Sequence, residues 1–173
     1  MGRDKLLLPW RGMTLLRRAV ALLDSLPVFE KILVTTPARL EHIDCPPTVR
    51  AVINPCPEAG QSQSVRLGVN AAAGTGYLFL MADQPLLMPD ALRPLLEKAG
   101  AHPDRILFMS VKEIPCTPIV FPERFRAELL GLSGDAGGRA VREAHPEACL
   151  SCEAEEPAAF WDVDTTEDFN SLP

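Results

Sequence analysis

The sequence predicts an α/β fold with a mostly parallel sheet. Short apolar segments of strand length alternate along the chain with segments whose apolar residues recur at helical spacing, a pattern typical of parallel sheets with crossover helices. Seventeen prolines favour many short connections over long helices. The 173 residues contain no repeat, linker or low-complexity tract, so residues 1–173 are predicted to form one domain with its own core.

The predicted elements follow in order along the chain. Apolar residues at helical spacing predict a first helix over residues 14–26, with Thr14 as N-cap and Pro27 as its stop. Apolar runs predict short buried strands over residues 31–36 and over Val49–Ile53. The remaining predictions are a helix from Ser62 or Ser64 to about Ala73, a central strand over 77–82, a helix over 89–99, paired strands over Ile106–Val111 and 118–121, helical segments over 122–130 and Gly138–Ala144, a late strand over 158–163 and a final helical turn over 165–169.

Charge and composition exclude several classes of partner. The net charge is −6, which argues against nucleic-acid and membrane partners because both require basic patches. The longest apolar run, residues 77–82, is too short to span a bilayer. Five scattered cysteines predict reduced thiols and a cytoplasmic location. Cys149 and Cys152 form a lone C-x-x-C, for which inert structural thiols are favoured and a redox or metal role stays open.

Polar residues are predicted to meet at one edge of the sheet. Ligands of open parallel sheets bind beyond the carboxyl ends of the strands, which would bring Asn54, Asp83 and the loop after Ser110 to one rim. Asp83 leaves the predicted central strand beside Pro85, and Mg²⁺ favours one or two carboxylates together with phosphate oxygens. Asp83 is therefore a candidate metal ligand; the alternative is a strand-end carboxylate that caps the next turn.

The N-terminal stretch M-G-R-D-K-L-L-L-P-W-R-G resembles part of a family motif. The molybdenum cofactor nucleotidyltransferases, above all their cytidylyltransferase branch, carry a pattern near L-A-A-G-x-S-x-R-M-G-x-x-K-x-L-L-P-x-x-G. The second half of that pattern is matched by Met1, Gly2, Lys5, Leu7, Leu8, Pro9 and Gly12. The first half, a strand with the glycine-rich phosphate loop, does not precede Met1 here. The resemblance thus implies a three-layer, Rossmann-like nucleotidyltransferase sheet whose first central strand is missing.

Four further stretches resemble the family, and they occur along the chain in the order G-Q-S-Q-S-V-R-L-G, M-A-D-Q-P, G-D-x-G-x-R and D-V-D-T-T-E-D-F. The resemblance implies that Lys5 neutralises the triphosphate and that Asp83 and Asp164 bind Mg²⁺. It further implies nucleotide contacts from Ser62 and Ser64, and a phosphate contact from Arg139. Each residue has a simpler alternative: helix capping for both serines and Asp164, and a solvated cation for Lys5 and Arg139.

The resemblance implies transfer of CMP from CTP to molybdopterin with release of pyrophosphate. CTP or GTP and molybdopterin would be its small-molecule partners, and a molybdoenzyme or its accessory proteins a macromolecular one. Two alternatives stay open: a non-catalytic accessory or binding protein for cofactor maturation, and a sugar or polyol phosphate nucleotidyltransferase. Activity also stays open, because without the glycine-rich loop we expect only weak CTP–Mg²⁺ binding.

The missing strand has a consequence for the sheet. In the family it lies between the strand predicted over residues 31–36 and the strand predicted over 77–82. Without it, both neighbours have edges of unpaired backbone groups. We therefore expect either direct pairing of the two strands or an open slot that makes the isolated chain prone to aggregate.

Overall fold

The computed structural model describes residues 4–173. Met1 and Gly2, the first two matches to the N-terminal motif, lie outside the described residues. The strands are β1 (Pro9–Trp10), β2 (Met13–Thr14), β3 (Lys31–Thr35), β4 (Val49–Ile53), β5 (Gly76–Phe79), β6 (Ile106–Val111), β7 (Ile114–Pro122) and β8 (Cys149–Glu153). The α-helices are α1 (Leu15–Ser25), α2 (Pro37–Leu40), α3 (Gln61–Ala71), α4 (Pro89–Ala101), α5 (Arg126–Leu130), α6 (Gly138–Ala144) and α7 (Thr166–Asn170). No helix within residues 4–173 is long and apolar enough to cross a membrane.

The described strands form one mixed four-stranded sheet, a parallel pair and a small hairpin. The larger sheet has the order β5-β7-β6-β8, and β7 is antiparallel to both of its neighbours. Strand β8 is parallel to β6, so β5, β6 and β8 share one direction. Strands β3 and β4 form a separate parallel pair, and β1 and β2 a small hairpin. The predicted α/β architecture with a mostly parallel sheet is confirmed.

Helices cover both faces of the larger sheet. Because side chains alternate along a strand, β6 sends Leu107 and Met109 to one face and Ile106 to the other. The first face packs against Leu22 of α1 and Leu95 of α4. The second packs against α3, α5 and α6 through Val65, Val69, Leu129 and Val141. The sheet is therefore the middle of three layers.

Strands β3 and β5 do not pair with each other. In residues 4–173, β3 is hydrogen-bonded only to β4 and β5 only to β7. Helix α1 contacts β3 and also packs Leu22 against the larger sheet. Helix α3 likewise contacts β3 and packs Val69 in one cluster with Tyr77 of β5. Of the two expected outcomes, direct pairing of these strands is therefore not observed, and the unpaired edges are those of the second; the aggregation expected with it remains a prediction.

Two predicted strands differ from the observed structure, and one observed strand was not predicted. The strand predicted over residues 77–82 is shorter in the structure, where β5 ends at Phe79. It lies at the edge of its sheet rather than at the centre. The strand predicted over 158–163 is a 3₁₀ helix, Pro157–Phe160, followed by residues that belong to no strand, because Pro157 begins a helical turn there. Strand β8 was not predicted, since its sequence C-L-S-C-E has one strongly apolar residue.

The two cysteines of the C-x-x-C lie on opposite faces of β8. Cys149 packs in the cluster beside α5 and α6, whereas Cys152 packs in the cluster beside α4. An odd separation along a strand has this result, and side chains on opposite faces cannot form one disulfide or share one metal ion. Burial raises the pKa of both thiols. These features agree with the favoured prediction of structural thiols.

Candidate functional site

Lys5 is held by a short 3₁₀ helix, Lys5–Leu7. Asp4 caps it by accepting a hydrogen bond from the Leu6 N–H at 3.1 Å. The same carboxylate pairs with Arg39, with Nε and Oδ2 2.6 Å apart. The Leu6 side chain is buried in the cluster formed with α1. These three contacts fix the backbone of Lys5 and leave its long side chain to reach across the rim.

Three residues far apart in sequence meet at that rim. The Lys5 ammonium donates to Asp83 Oδ2 at 2.7 Å and to Asp164 Oδ1 at 2.9 Å. Partial burial alone would lower the pKa of Lys5, but the hydrogen bonds to the two carboxylates outweigh it and raise the pKa. Lys5 is therefore a charged, ion-paired group and not the freely solvated cation of the simpler alternative.

Asp83 keeps one carboxylate oxygen for a further partner. The residue is only 9% exposed, and its Oδ1 is buried with no hydrogen-bond partner among the described residues. Its carboxylate accepts no backbone hydrogen bond there, so the alternative of a turn-capping aspartate is not what the structure shows. A buried, unpartnered carboxylate oxygen is costly, and a cation would satisfy it.

Asp164 is presented by the segment that precedes α7. The N-cap of α7 is Thr165, which forms a capping box with Asp168. The alternative in which Asp164 caps the helix is therefore wrong, and its carboxylate is available to Lys5. The Val163 N–H donates to the Asp83 carbonyl at 2.9 Å, which ties this segment to the loop that follows β5.

A third carboxylate, Asp162, was missed by sequence reasoning. Burial raises its pKa, and the negative charges of Asp83 and Asp164 raise it further. Val163 between the two aspartates is fully buried. The D-V-D spacing was the signal that could have found Asp162, because residues two apart on extended backbone point the same way.

Gln84 links the carboxylates to the neighbouring β7 strand. Its Nε2 donates to Thr117 Oγ1 at 3.0 Å and to the Phe160 carbonyl at 3.4 Å. Its Oε1 is buried and has no partner in the described part of the chain. Gln84 thus joins β7 to the segment that carries Asp162 and leaves a second acceptor oxygen unused.

An open apolar groove of about 440 Å³ adjoins this corner of the site. Cys116 on one wall and Phe160 and Trp161 on the other contribute to its lining. Burial raises the pKa of the Cys116 thiol to about 11, with the charge of Asp162 adding to the effect. The groove therefore offers apolar and aromatic contacts beside the carboxylates, and an unreactive thiol.

The two serines lie within the first turn of α3 and do not cap it. The N-cap of α3 is Gly60, so the capping alternative for Ser62 and Ser64 is wrong. The Ser62 N–H donates to the Gly134 carbonyl at 3.1 Å, and the Ser64 hydroxyl accepts from Asn54 Nδ2 at 3.1 Å. Within residues 4–173, no hydrogen bond joins the two serines to Lys5 or to the aspartates, so their nucleotide contact remains a prediction.

Arg139 lies on α6 and pairs with Glu143, with Nε and Oε1 2.6 Å apart. Its side chain is 79% exposed, and within the described chain it makes no ion pair with the Lys5 cluster. The two regions approach each other through Gln61, whose amide lies 3.8 Å from the sulfur of Met81, two residues before Asp83. The structure therefore gathers Lys5, Asp83 and Asp164, and places Ser62, Ser64 and Arg139 in a second group.

The predicted rim is only partly assembled. The loop after Ser110 directs the Lys112 and Glu113 N–H groups to Glu153, and hydrogen bonds of the described residues link neither this loop nor Asn54 to Asp83. No group of three or more His, Cys, Asp or Glu side chains in residues 4–173 has metal-binding geometry. A site of one or two carboxylates completed by phosphate oxygens is what Mg²⁺ favours, and Asp83 and Asp164 fit that donor set.

Comparison with known proteins identifies the domain. The sequence profile of the MobA-like NTP transferase domain matches residues 1–149. Among curated proteins no sequence match is found.

Solved structures share the fold at low sequence identity. Rv0371c from Mycobacterium tuberculosis aligns with a TM-score of 0.77 and 22% identity, covering 98% of this chain and 88% of that one. Rv0371c has also been solved in complex with manganese, and that structure aligns with a TM-score of 0.75 and 22% identity over 96% of this chain and 89% of that one. The nucleotidyl transferase Mth528 from Methanothermobacter aligns with a TM-score of 0.76 and 23% identity, covering 96% of this chain and 82% of that one. A 4-diphosphocytidyl-2C-methyl-D-erythritol synthase aligns with a TM-score of 0.73 and 19% identity, covering 96% of this chain and 91% of that one.

Proposed function

Because this chain belongs to the MobA-like NTP transferase family, we propose that it transfers CMP from CTP to molybdopterin and releases pyrophosphate. The observation that carries the proposal is the meeting of Lys5, Asp83 and Asp164, with the ammonium 2.7 Å and 2.9 Å from the two carboxylates. A cation and two carboxylates at one sheet rim are the groups that a nucleoside triphosphate and its divalent ion require.

The reaction joins an acceptor oxygen to phosphorus. A phosphate oxygen of molybdopterin forms a bond to the α-phosphorus of CTP while the α–β bridging P–O bond breaks, and pyrophosphate leaves with the electron pair. Such transfers depend on positioning and on charge stabilisation. Lys5 is the group that would neutralise negative charge developing on the triphosphate.

A divalent cation would be bound by Asp83 and Asp164, and it would supply charge neutralisation between phosphate oxygens. The buried, unpartnered Oδ1 of Asp83 supports this assignment, since it is an acceptor aimed at no group of the described chain. Mg²⁺ is proposed as the ion; the manganese in the Rv0371c complex belongs to that protein.

The nucleotide and the acceptor would lie on opposite sides of the carboxylates. The start of α3, with Ser62 and Ser64, and Arg139 on α6 are proposed to contact nucleotide or phosphate, as the N-terminus of a helix favours an anion. The apolar groove with Phe160 and Trp161 would accept the flat heterocycle of the acceptor. Its volume of about 440 Å³ lies within the range of small-molecule sites.

The proposal is tested by incubating the protein with molybdopterin, CTP and Mg²⁺ and measuring pyrophosphate together with the mass of the product. The change Asp83→Asn is expected to lower turnover by at least about 100-fold, because a charge-stabilising group is lost at the reacting phosphates. The matched control is Asp90→Asn on α4, an exposed carboxylate whose only ion pair in the described chain is with Arg93.

Two results would contradict the proposal. Turnover of Asp83→Asn within a few-fold of the unchanged protein would remove Asp83 from the site. Pyrophosphate release with a sugar or polyol phosphate, and none with molybdopterin, would favour the alternative acceptor class. Replacing CTP by GTP in the same assay decides the nucleotide.

A further inference from the structure

Lys5 stands where a cation bridging two carboxylates would stand. Its ammonium contacts Asp83 Oδ2 and Asp164 Oδ1 at once, and these are the two side chains proposed to bind the divalent ion. An ammonium and a divalent ion cannot both take the position between the same two oxygens, because their charges repel at short distance.

The ammonium leaves this position only partly satisfied. Asp83 Oδ1 remains buried without a partner in residues 4–173. Ammonium is a compact point charge with three donors, whereas a divalent ion takes six or more oxygen ligands. The carboxylate oxygens therefore fit a cation that takes more oxygen ligands than the Lys5 ammonium can.

The Lys5 side chain is also able to leave. Its backbone is fixed by the 3₁₀ helix, but its four-carbon stem is flexible and its side chain is 27% exposed. On the outer side of the cluster, Asp164 is 73% exposed, and exposed ion pairs contribute little to stability. On the inner side, Asp83 is 12% exposed and would remain in place.

We propose that Lys5 fills the metal position in the nucleotide-free protein, so that a divalent ion binds between Asp83 and Asp164 only when the Lys5 ammonium moves away. The proposal rests on the proposed function in one respect: a bound triphosphate gives the displaced ammonium a new partner. Metal and nucleotide then raise each other's affinity, as reciprocal linkage requires. Lys5 is the residue that couples the two binding events.

The direct test measures Mn²⁺ binding without nucleotide, from the free Mn²⁺ signal in electron paramagnetic resonance. Lys5→Met is expected to bind Mn²⁺ about 5- to 150-fold more tightly than the unchanged protein, the usual span of coupling between sites. Lys98→Met on α4 is the matched control, since Lys98 contacts the Ser151 carbonyl away from the carboxylates. Asp83→Asn is expected to weaken Mn²⁺ binding in both backgrounds.

A second measurement covers the case in which Lys5→Met does not fold. In the unchanged protein, Mn²⁺ alone is expected to increase the rate at which Lys5 is reductively methylated, measured by mass spectrometry, while the rate at Lys98 stays constant. Mn²⁺ binding by Lys5→Met that is no tighter than that of the unchanged protein, or a methylation rate at Lys5 that Mn²⁺ does not change, would overturn the proposal. Both measurements omit nucleotide and acceptor. A failed transfer assay would therefore refute the proposed function and leave both predictions for Lys5 unchanged.

Discussion

Gly60 is the residue whose conformation brings the second group of candidate residues together. Its φ is +90°, a region that side chains disfavour. A Cβ at this position would lie 2.4 Å from the Gly134 carbonyl oxygen. That close approach sets the start of α3 against the loop that leads to Arg139, so the absence of a side chain at position 60 is a structural requirement.

We predict that Gly60→Ala destabilises the protein by more than about 2 kcal/mol, because left-handed backbone strain and a backbone clash act together. Gly100→Ala is the matched control. Gly100 lies within α4, and a Cβ there would meet no atom within 4 Å, so this change should stabilise by about 0.5–1 kcal/mol through helix propensity. Urea denaturation measures both; a loss for Gly100→Ala, or no loss for Gly60→Ala, would contradict the explanation.

The individual residues of the candidate site differ in how far their positions followed from the sequence. The likeness of three separate motifs to one family singled out Lys5, Asp83 and Asp164, and the structure brings these three together. Asp162 was missed: the D-V-D spacing indicates that the carboxylates on either side of Val163 point the same way, but only the folded chain brings this segment beside Asp83. The sequence allows Ser62 or Ser64 as the N-cap of α3, but in the structure the N-cap is Gly60.

At the scale of elements, α7 decides how Asp164 is presented. Thr165 accepts a hydrogen bond from the Asp168 N–H at 3.1 Å, and Asp168 accepts from the Thr165 N–H at 2.7 Å. Asp168 also accepts from the Asp164 N–H at 3.1 Å. The capping box therefore orients the backbone of Asp164 without using its carboxylate, which pairs with Lys5 instead.

We predict that Thr165→Ala destabilises the protein by about 1 kcal/mol, the usual effect of removing an N-cap hydroxyl. Thr166→Ala is the matched control, because Thr166 is exposed and is the first residue within α7. Its effect should stay within about 0.5 kcal/mol, as for other surface changes. Thermal and urea unfolding give the values, and equal losses for the two threonines would count against the capping box.

Elements with strong local signals were predicted correctly, and those defined by tertiary contacts were not. Helix α1 has an N-cap in Thr14 and apolar residues at helical spacing, and β4 was predicted with its observed bounds. Strand β8 depends on pairing with β6 in register from Ile106–Cys149 onwards, and nothing local in C-L-S-C-E demands a strand. Residues 158–163 are apolar enough for a strand, but no partner strand is available to them in the described chain.

At the scale of the whole molecule, two sheets are joined by helices and not by backbone hydrogen bonds. Strand β6 is paired on both edges, with β7 and β8, whereas β3 is paired only with β4 within residues 4–173. Local openings cost least where backbone hydrogen bonds and buried contacts are fewest. The pair β3–β4 is therefore the part of the molecule expected to open first.

We predict that native-state hydrogen exchange separates the two sheets. The amides of β6 and β7 should exchange with a free energy close to that of global unfolding, and those of β3 with one lower by at least about 1 kcal/mol, since local openings cost less than global unfolding. Exchange followed by mass spectrometry at increasing urea measures both. Equal free energies with equal urea dependence in β3 and β6 would show one cooperative unit.

The long sequence separation between the Lys5 partners also has a consequence during protein synthesis. After Lys5 is made, the ribosome must add 159 further residues before Asp164 exists. At 5–20 residues per second this takes roughly 8 to 30 s. During that interval the nascent chain has Lys5, and later Asp83, without Asp164, and the hydrogen bond from the Val163 N–H to the Asp83 carbonyl cannot form either. The completed cluster is thus a late event in the life of each molecule, and a nascent chain would be unable to hold an ion between both aspartates until its closing segment had emerged.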